Sequence, residues 1–380
     1  HTYDDRTYEE KKHSDIVTDI YSAIRGKKYS FIGEGIYEKR FTNSKFSTGI
    51  RHQQSLTENR YAGTSSAETQ MQEAYTSTYV EYSCKVKKFN YSLGLQGSRS
   101  WFKQYSFLPR LRLTYNFSDH AFIRYQGDIS RSTPALSDLN NVEQLIDSLQ
   151  IRRGNPTLKM STVYNNTLNF DYRKGLFSGS LYLLYQYQRK PNMEETIREN
   201  DLFIRTIANQ RSWQKLNPEI EVKVGPFKDI LSLSVTTGIN YFDSRGHNYH
   251  HTYTNWYYRA SIMASYKNWS SFFEIQNHRN DFYGETLRYG ENYHILGINY
   301  RYKQLTAGIM GLNLFSDNYK VGSENFNSSA PSKNWMYIKE SSRMIAVSIA
   351  WNFSFGRKYE SAEKRLHNED NNAGTLKSGK

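Results

Sequence analysis

The sequence predicts an all-β fold, a transmembrane antiparallel β-barrel, on three observations. The first is a period-two alternation of hydrophobic residues that recurs in segment after segment. In Ser341 to Gly356 it puts Ile345, Val347, Ile349, Trp351, Phe353 and Phe355 on one face, and Met344, Ala346, Ser348, Ala350, Asn352 and Ser354 on the other. Such a strand lies between two different solvents: core and water in a soluble sandwich, lipid and a wet lumen in a barrel. The second is composition. Only 37% of the 380 residues are hydrophobic, yet 15% are aromatic, which suits a thin wall better than a thick core. The third is a sorting of the connections into short and long ones.

In chain order, His1 to Lys12 is charged and aperiodic and reads as a loop. Ser14 to Ile24 fits a helix as well as a strand; strand is favoured because Gly26-Lys27-Lys28 then turns directly into Tyr29 to Arg40. Lys45 to Glu58 reads as a strand leading into the polar loop Asn59 to Thr69. Ala74 to Lys87 places Thr78, Val80, Tyr82, Cys84 and Val86 on one face, so Cys84 reads as a small lipid-facing residue rather than a reactive thiol. Phe89, Tyr91, Leu93 and Leu95 alternate next. Leu111 to Phe117 and Ala121 to Tyr125, separated by Ser118-Asp119, are forced into an antiparallel hairpin.

From Ser130 to Met160 the alternation stops. Pro134, Leu136, Leu139, Val142, Leu145 and Ile146 suggest a short helix, and Gly154-Asn155-Pro156 a turn. Strands return at Tyr164 to Tyr172, Phe177 to Tyr187, Ile220 to Val224, Leu231 to Tyr241, Tyr258 to Tyr266, Trp269 to Ile275 and Leu296 to Tyr302. Leu305 to Phe315 is apolar without clean alternation and is a strand by position. The count is about sixteen strands.

Short connections fall near Lys88, Phe117 to Asp119, Arg173 to Gly175, Gly225 to Lys228, Lys267-Asn268 and Gln304; long polar ones fall at 59–70, 131–160, 191–202, 242–255, 280–292 and 316–340. Tight turns at one end and long loops at the other are the outer-membrane pattern, with the short turns periplasmic. A sandwich or propeller, the remaining fold reading, has no reason to sort its loops this way. No run of about 18 apolar residues exists, so a helical span is excluded. The mean hydropathy of −0.78 is compatible with a barrel, because half of each strand faces water.

The formal charge of +13 is dispersed rather than gathered into one stripe, and neither a groove-reading helix nor an aromatic RNA-binding motif accompanies it. Nucleic acid is therefore not expected as a partner; outer-membrane lipid and lipopolysaccharide are. The single cysteine excludes an intrachain disulfide. The opening HTYDDRTYEEKK carries no secretory segment, and the expectation is a piece or processed form of a longer protein.

Three stretches, SRSTPALSDLNN (Ser130 to Asn141), RGNPTLK (Arg153 to Lys159) and NFSFGRKYESAEKRLHNEDNNAG (Asn352 to Gly374), resemble the C-terminal β-barrel of TonB-dependent receptors, in the outer-membrane β-barrel family typical of Bacteroidetes. The resemblance covers nearly the whole chain. It implies residence in the bacterial outer membrane and energised uptake of a small nutrient, an iron chelate, glycan or similar. It also implies a barrel of about 22 strands closed by a plug, with TonB as partner if the full-length protein carries plug and TonB box. With neither visible and about sixteen strands in view, truncation is the expectation over a degenerate receptor. Residues 1–356 are then barrel, and 357–380 a polar tail hanging in the periplasm.

No catalytic constellation accompanies the plentiful Ser, His and Asp, and no cofactor is called for. Two loop clusters are candidates. Asp243, His247, His250 and His251 have the chemistry to ligate zinc, copper or a ferric chelate, against the plainer reading of an exposed polar loop. Tyr249, Tyr253, Trp256 and Tyr257 have the chemistry to stack on a sugar or siderophore ring, against the plainer reading of an interface girdle. Ile345, Val347, Ile349, Trp351, Phe353 and Phe355 are expected to face lipid on the barrel's closing strand. A non-transporting surface barrel with an adhesion or assembly role is the alternative function, and a soluble β-rich binding protein a third.

Overall fold

The computed structural model describes residues 2–12, 20–63, 67–100, 104–146 and 149–353. Sixteen strands form one antiparallel sheet in which every strand pairs with its neighbours in sequence order, from Thr2–Lys12 at one end to Met344–Trp351 at the other. The expected number of strands is thus present. In a bilayer this arrangement lets strands span without a helix, because the N–H and C=O groups of each inner strand meet those of its two neighbours.

Register shows which solvent each face meets. Val222, Val235 and Ala260 lie side by side across three strands, as do Val224, Leu233 and Ile262. Leu233, Val235, Ile239 and Ile262 are all exposed, an outward band with no protein over it. The alternate residues Glu221, Thr236 and Arg259 form a polar row on the lumen side, extended by an Arg259–Glu274 ion pair at 2.7 Å. Buried in lipid that pair would be costly; facing a wet lumen it is ordinary.

On the final strand Ile345, Val347, Ile349 and Trp351 are each about 70% exposed on one face. The strand ends at Trp351, so Phe353 follows it as an exposed residue rather than a strand residue. Phe355 and the tail 357–380 lie outside the described residues, as does the 14–19 part of Ser14 to Ile24. Cys84 is half-buried, on the face that carries exposed Tyr82 and Val86.

Several expected loops are strand. Thr2–Lys12 is a strand paired with Ile20–Arg40, and Gly26-Lys27-Lys28 does not turn but pairs with Asn59, Glu58 and Thr57. The neighbouring strand likewise runs on through Asn59 to Gly63, and the next begins at Ala67. The expected helix shrinks to Leu136–Leu139, with Gln144–Leu145 a short strand. The expected 242–255 loop is mostly strand, since Leu231–Arg245 and His250–Tyr266 leave only 246–249 between them.

The long loops that remain fold into β-structure of their own. Asn192–Glu199 and Leu202–Asn209 form a hairpin joined by Gln150–Arg152 and Gln144–Leu145, one four-stranded sheet. Asp281–Tyr283, Thr286–Tyr289, Lys320–Asn325 and Ser332–Tyr337 form a second. Both arise from the long-loop end of the barrel, the extracellular end.

Candidate functional site

Above the outward apolar band the lumen changes character. Trp213 and Phe242 point inward, and the tip of the 281–289 hairpin drops onto them. Met193, Trp213, Phe242, Phe282 and Leu287 are all buried there as one hydrophobic cluster, with Tyr249, Tyr253, Tyr283 and Tyr289 packed around it. The Trp213 Nε1–H donates to the Phe282 carbonyl at 2.8 Å, satisfying the one polar atom a buried indole brings. Burial pushes the Tyr283 hydroxyl up to about 12 and raises that of Tyr249 as well.

The four candidate aromatics divide between the two faces. Tyr253 stacks on Phe282, centroids 5.8 Å apart, and its hydroxyl accepts from Asn280 Nδ2 at 2.6 Å. Tyr249 stacks on His251 at 5.4 Å. Tyr257 is buried inward, accepting from Asn217 Nδ2 at 2.8 Å and donating to Glu219 at 2.6 Å, with the Arg279 guanidinium 4.3 Å over its ring. Trp256 faces outward, 58% exposed, with its indole N–H donating to Thr237 Oγ1 at 2.9 Å. That is the position of an interface girdle, and it removes Trp256 from any platform the other three build.

The four candidate metal ligands are also not gathered. Asp243 faces outward in a two-pronged hydrogen bond from Arg245, 2.9 and 3.0 Å, with His250 at 3.4 Å. The Arg245 guanidinium, aided by His250, holds the Asp243 carboxyl below its ordinary range. His251 faces inward, 3.3 Å from Glu285, and the His247 ring lies 3.0 Å from the Asn209 carbonyl. Among the described residues no group of three His, Cys, Asp or Glu side chains is placed to hold a metal ion. The proposed cluster is thereby corrected: strand alternation sends Asp243 and His250 to one face and His251 to the other.

The two loop stretches around Leu136 and Gly154 do come together. The Gly154 N–H donates to the Asn140 carbonyl at 3.1 Å, and a Cβ on Gly154 would collide with that oxygen, so only glycine fits. Asn155 donates from Nδ2 to the Ile207 carbonyl at 3.1 Å, and its Oδ1 accepts from the Thr157 N–H at 3.0 Å. Leu136, Leu139 and Leu158 form a second small core with Met71 and Ile207, and Asn140 donates to the Tyr61 hydroxyl. The stretches therefore clamp the 192–209 hairpin over the barrel mouth.

Between the clamp, that hairpin and the 281–289 hairpin lies a cavity of about 410 Å³, lined by Arg152, Arg153, Glu194, Arg205, Asp281 and Arg288 among others. Its size falls in the range of small-molecule sites. Arg153 is tied to Glu143 and Glu199 at 3.2 and 2.7 Å, and Arg152 to Asp138 at 3.5 Å. Arg205 Nε is buried without a hydrogen-bond partner among the described residues. A desolvated guanidinium N–H left open is costly unless something else fills it.

A family model described as the outer membrane protein beta-barrel family matches residues 3–351. The chain belongs to that family. No curated protein matches it in sequence. Among solved structures, this family barrel is similar to the copper transporter OprC, with TM-score 0.68 and 10% identity over 88% of this chain and 60% of that one. It is also similar to the siderophore receptor PirA from Pseudomonas aeruginosa, TM-score 0.60 and 13% identity over 93% and 60%. The FrpB iron transporter from Neisseria meningitidis gives 0.59 and 11% over 88% and 56%. At these identities the likeness is one of fold, and the chain spans little more than half the length of those proteins. The family places the chain in the bacterial outer membrane, with the short turns periplasmic and the loop sheets at the cell surface.

Sequence reasoning missed the cavity arginines. Arg153 stands out in the sequence only as the first residue of the RGNPTLK stretch and Arg152 only as part of a long loop, while Arg205 and Arg288 lie in stretches where no apolar alternation drew attention. A signal was available for the aromatic cluster. The adjacent pairs Tyr241-Phe242 and Trp256-Tyr257 make both faces apolar at once, which marks the level where a wet lumen gives way to packed protein.

Proposed function

We propose that this family barrel is the membrane-spanning part of a TonB-dependent receptor that imports a small nutrient ligand, and that the ligand is first held in the cavity between the two loop sheets. The observation that carries the reading is the cavity itself: long loops folded into ordered β-structure at one end only, enclosing small-molecule-sized space lined by Arg205, whose Nε–H is buried and unpartnered among the described residues. Loops serving only as solvated connections have no need of two sheets, an aromatic anchor and a leucine clamp. The solved relatives are named for copper, iron and siderophore transport, which agrees with a small ligand and leaves its identity open. Uptake against a gradient needs an energy source, and the outer membrane has none of its own; TonB would relay the proton-motive force.

The test uses cells carrying the complete natural gene beside a deletion strain, each with and without a protonophore. Iron and copper in the medium are measured by elemental mass spectrometry, and organic solutes by liquid chromatography and mass spectrometry. At least one solute should be depleted by carrying cells alone, with a rate falling at least tenfold under the protonophore. Identical depletion profiles in carrying and deletion strains would remove the transport reading.

A further inference from the structure

The periplasmic rim carries a feature that transport does not use. Among the described short turns, lysine takes the left-handed backbone region four times, as Lys87 (φ 51°), Lys228 (φ 48°), Lys267 (φ 52°) and Lys303 (φ 52°), with Asp229 (φ 58°) beside Lys228 in the same turn. Gly175 (φ 57°) fills the same role in a fifth turn, directly after Lys174. Glycine and asparagine take this conformation at little cost, whereas lysine is strained there by its Cβ and brings no compensating backbone hydrogen bond. Lysine recurs in four of these turns, so the rim carries a repeated cation where glycine or asparagine would make the turn at lower cost.

The surroundings say what the charge meets. All five lysines are exposed and none is in an ion pair among the described residues. They lie next to the outward aromatics that end the apolar band: Phe89 follows Lys87 and Lys88, Phe227 precedes Lys228, Tyr266 and Trp269 flank Lys267, and Tyr302 precedes Lys303. Lys267 sits 5.3 Å over the Tyr266 ring and Lys303 5.4 Å over the Tyr302 ring, so the ammonium groups are held just beyond the girdle. Girdle aromatics mark the depth of lipid headgroups. Cations at that depth, spaced around the wall, are complementary to phosphate groups bearing net negative charge.

We propose that the periplasmic rim is a binding surface for anionic phospholipid headgroups of the inner leaflet of the outer membrane, with Lys87, Lys174, Lys228, Lys267 and Lys303 as its contacts. The surface selects net-negative headgroups such as phosphatidylglycerol over zwitterionic phosphatidylethanolamine, because the latter's own ammonium cancels the attraction.

The full chain, purified in mild neutral detergent from membranes containing both lipids, is assayed for co-purifying phospholipid by mass spectrometry. Phosphatidylglycerol should be enriched at least threefold over its share of the membrane. The variant K87G/K228G/K267G/K303G should lose that enrichment while remaining no less heat-stable in detergent, since glycine suits the left-handed positions better. The variant with arginine at the same four positions should keep it, and K190Q/K320Q/K339Q, at the extracellular end, should leave it unchanged. Equal enrichment in the glycine variant and the parent would overturn the proposal. So would a glycine variant less stable in lipid-free detergent, because the lysines would then be serving the fold.

Discussion

Arginine in place of Val347 or Ile298 should destabilise the assembled barrel by about 2–4 kcal/mol, the cost of a cation on the lipid face near the bilayer midplane. Val347 pairs with Ile309, which pairs with Ile298, so the three lie side by side across the last three strands. They are 70%, 55% and 46% exposed, with nothing but membrane to cover them. Ser348, one residue along, pairs with Gly308 and then Asn299 on the lumen face. Arginine there has water to meet and should change stability by less than about 0.5 kcal/mol. Heat-modifiability on gels and urea unfolding in detergent-free vesicles read both numbers; equal losses at Val347 and Ser348 would refute the assignment of faces.

Phe282→Ala should cost about 3–5 kcal/mol, the range for removing a buried phenyl ring, and the loss should be local. Phe282 is 1% exposed and meets Phe242 at 6.5 Å, Tyr253 at 5.8 Å and Phe326 at 6.1 Å. It joins the 281–289 hairpin to the barrel wall and to the loop after Asn325. Its backbone carbonyl also accepts the Trp213 N–H, which truncation of the side chain leaves in place. Hydrogen exchange should therefore accelerate through 281–289 and 320–337, with no change in the membrane-spanning parts of the strands. Exchange unchanged in those segments would show that the aromatic cluster does not hold the loops.

The membrane part of the fold was legible in the sequence because lipid on one side and water on the other impose a strict period of two, visible in Leu231 to Tyr241 and in Ile345 to Trp351. Outside the membrane that contrast vanishes. Thr2–Lys12 and the 59–63 stretch offer no clean alternation and read as loops, although their backbones pair as strands. The 192–199 strand, NMEETIRE, has the same handicap. The four expected metal ligands are separated for a related reason. His250 and His251 are adjacent in sequence and opposite in space, because a strand sends neighbours to opposite faces; counting histidines in a presumed loop ignored that. The cavity was illegible because Arg153, Arg205 and Arg288 come from three segments far apart in the chain, brought together only by the hairpins' docking.

The most direct test of the mouth cavity as the place where ligand is taken up is the depletion assay repeated with R205A/R288A. Both guanidinium groups line the cavity from opposite hairpins, and neither belongs to the clamp or to the lipid face. The variant should reach the outer membrane in parental amounts and remain heat-modifiable, while protonophore-sensitive depletion falls at least tenfold. Depletion at the parental rate by a fully assembled R205A/R288A barrel would contradict the cavity's role.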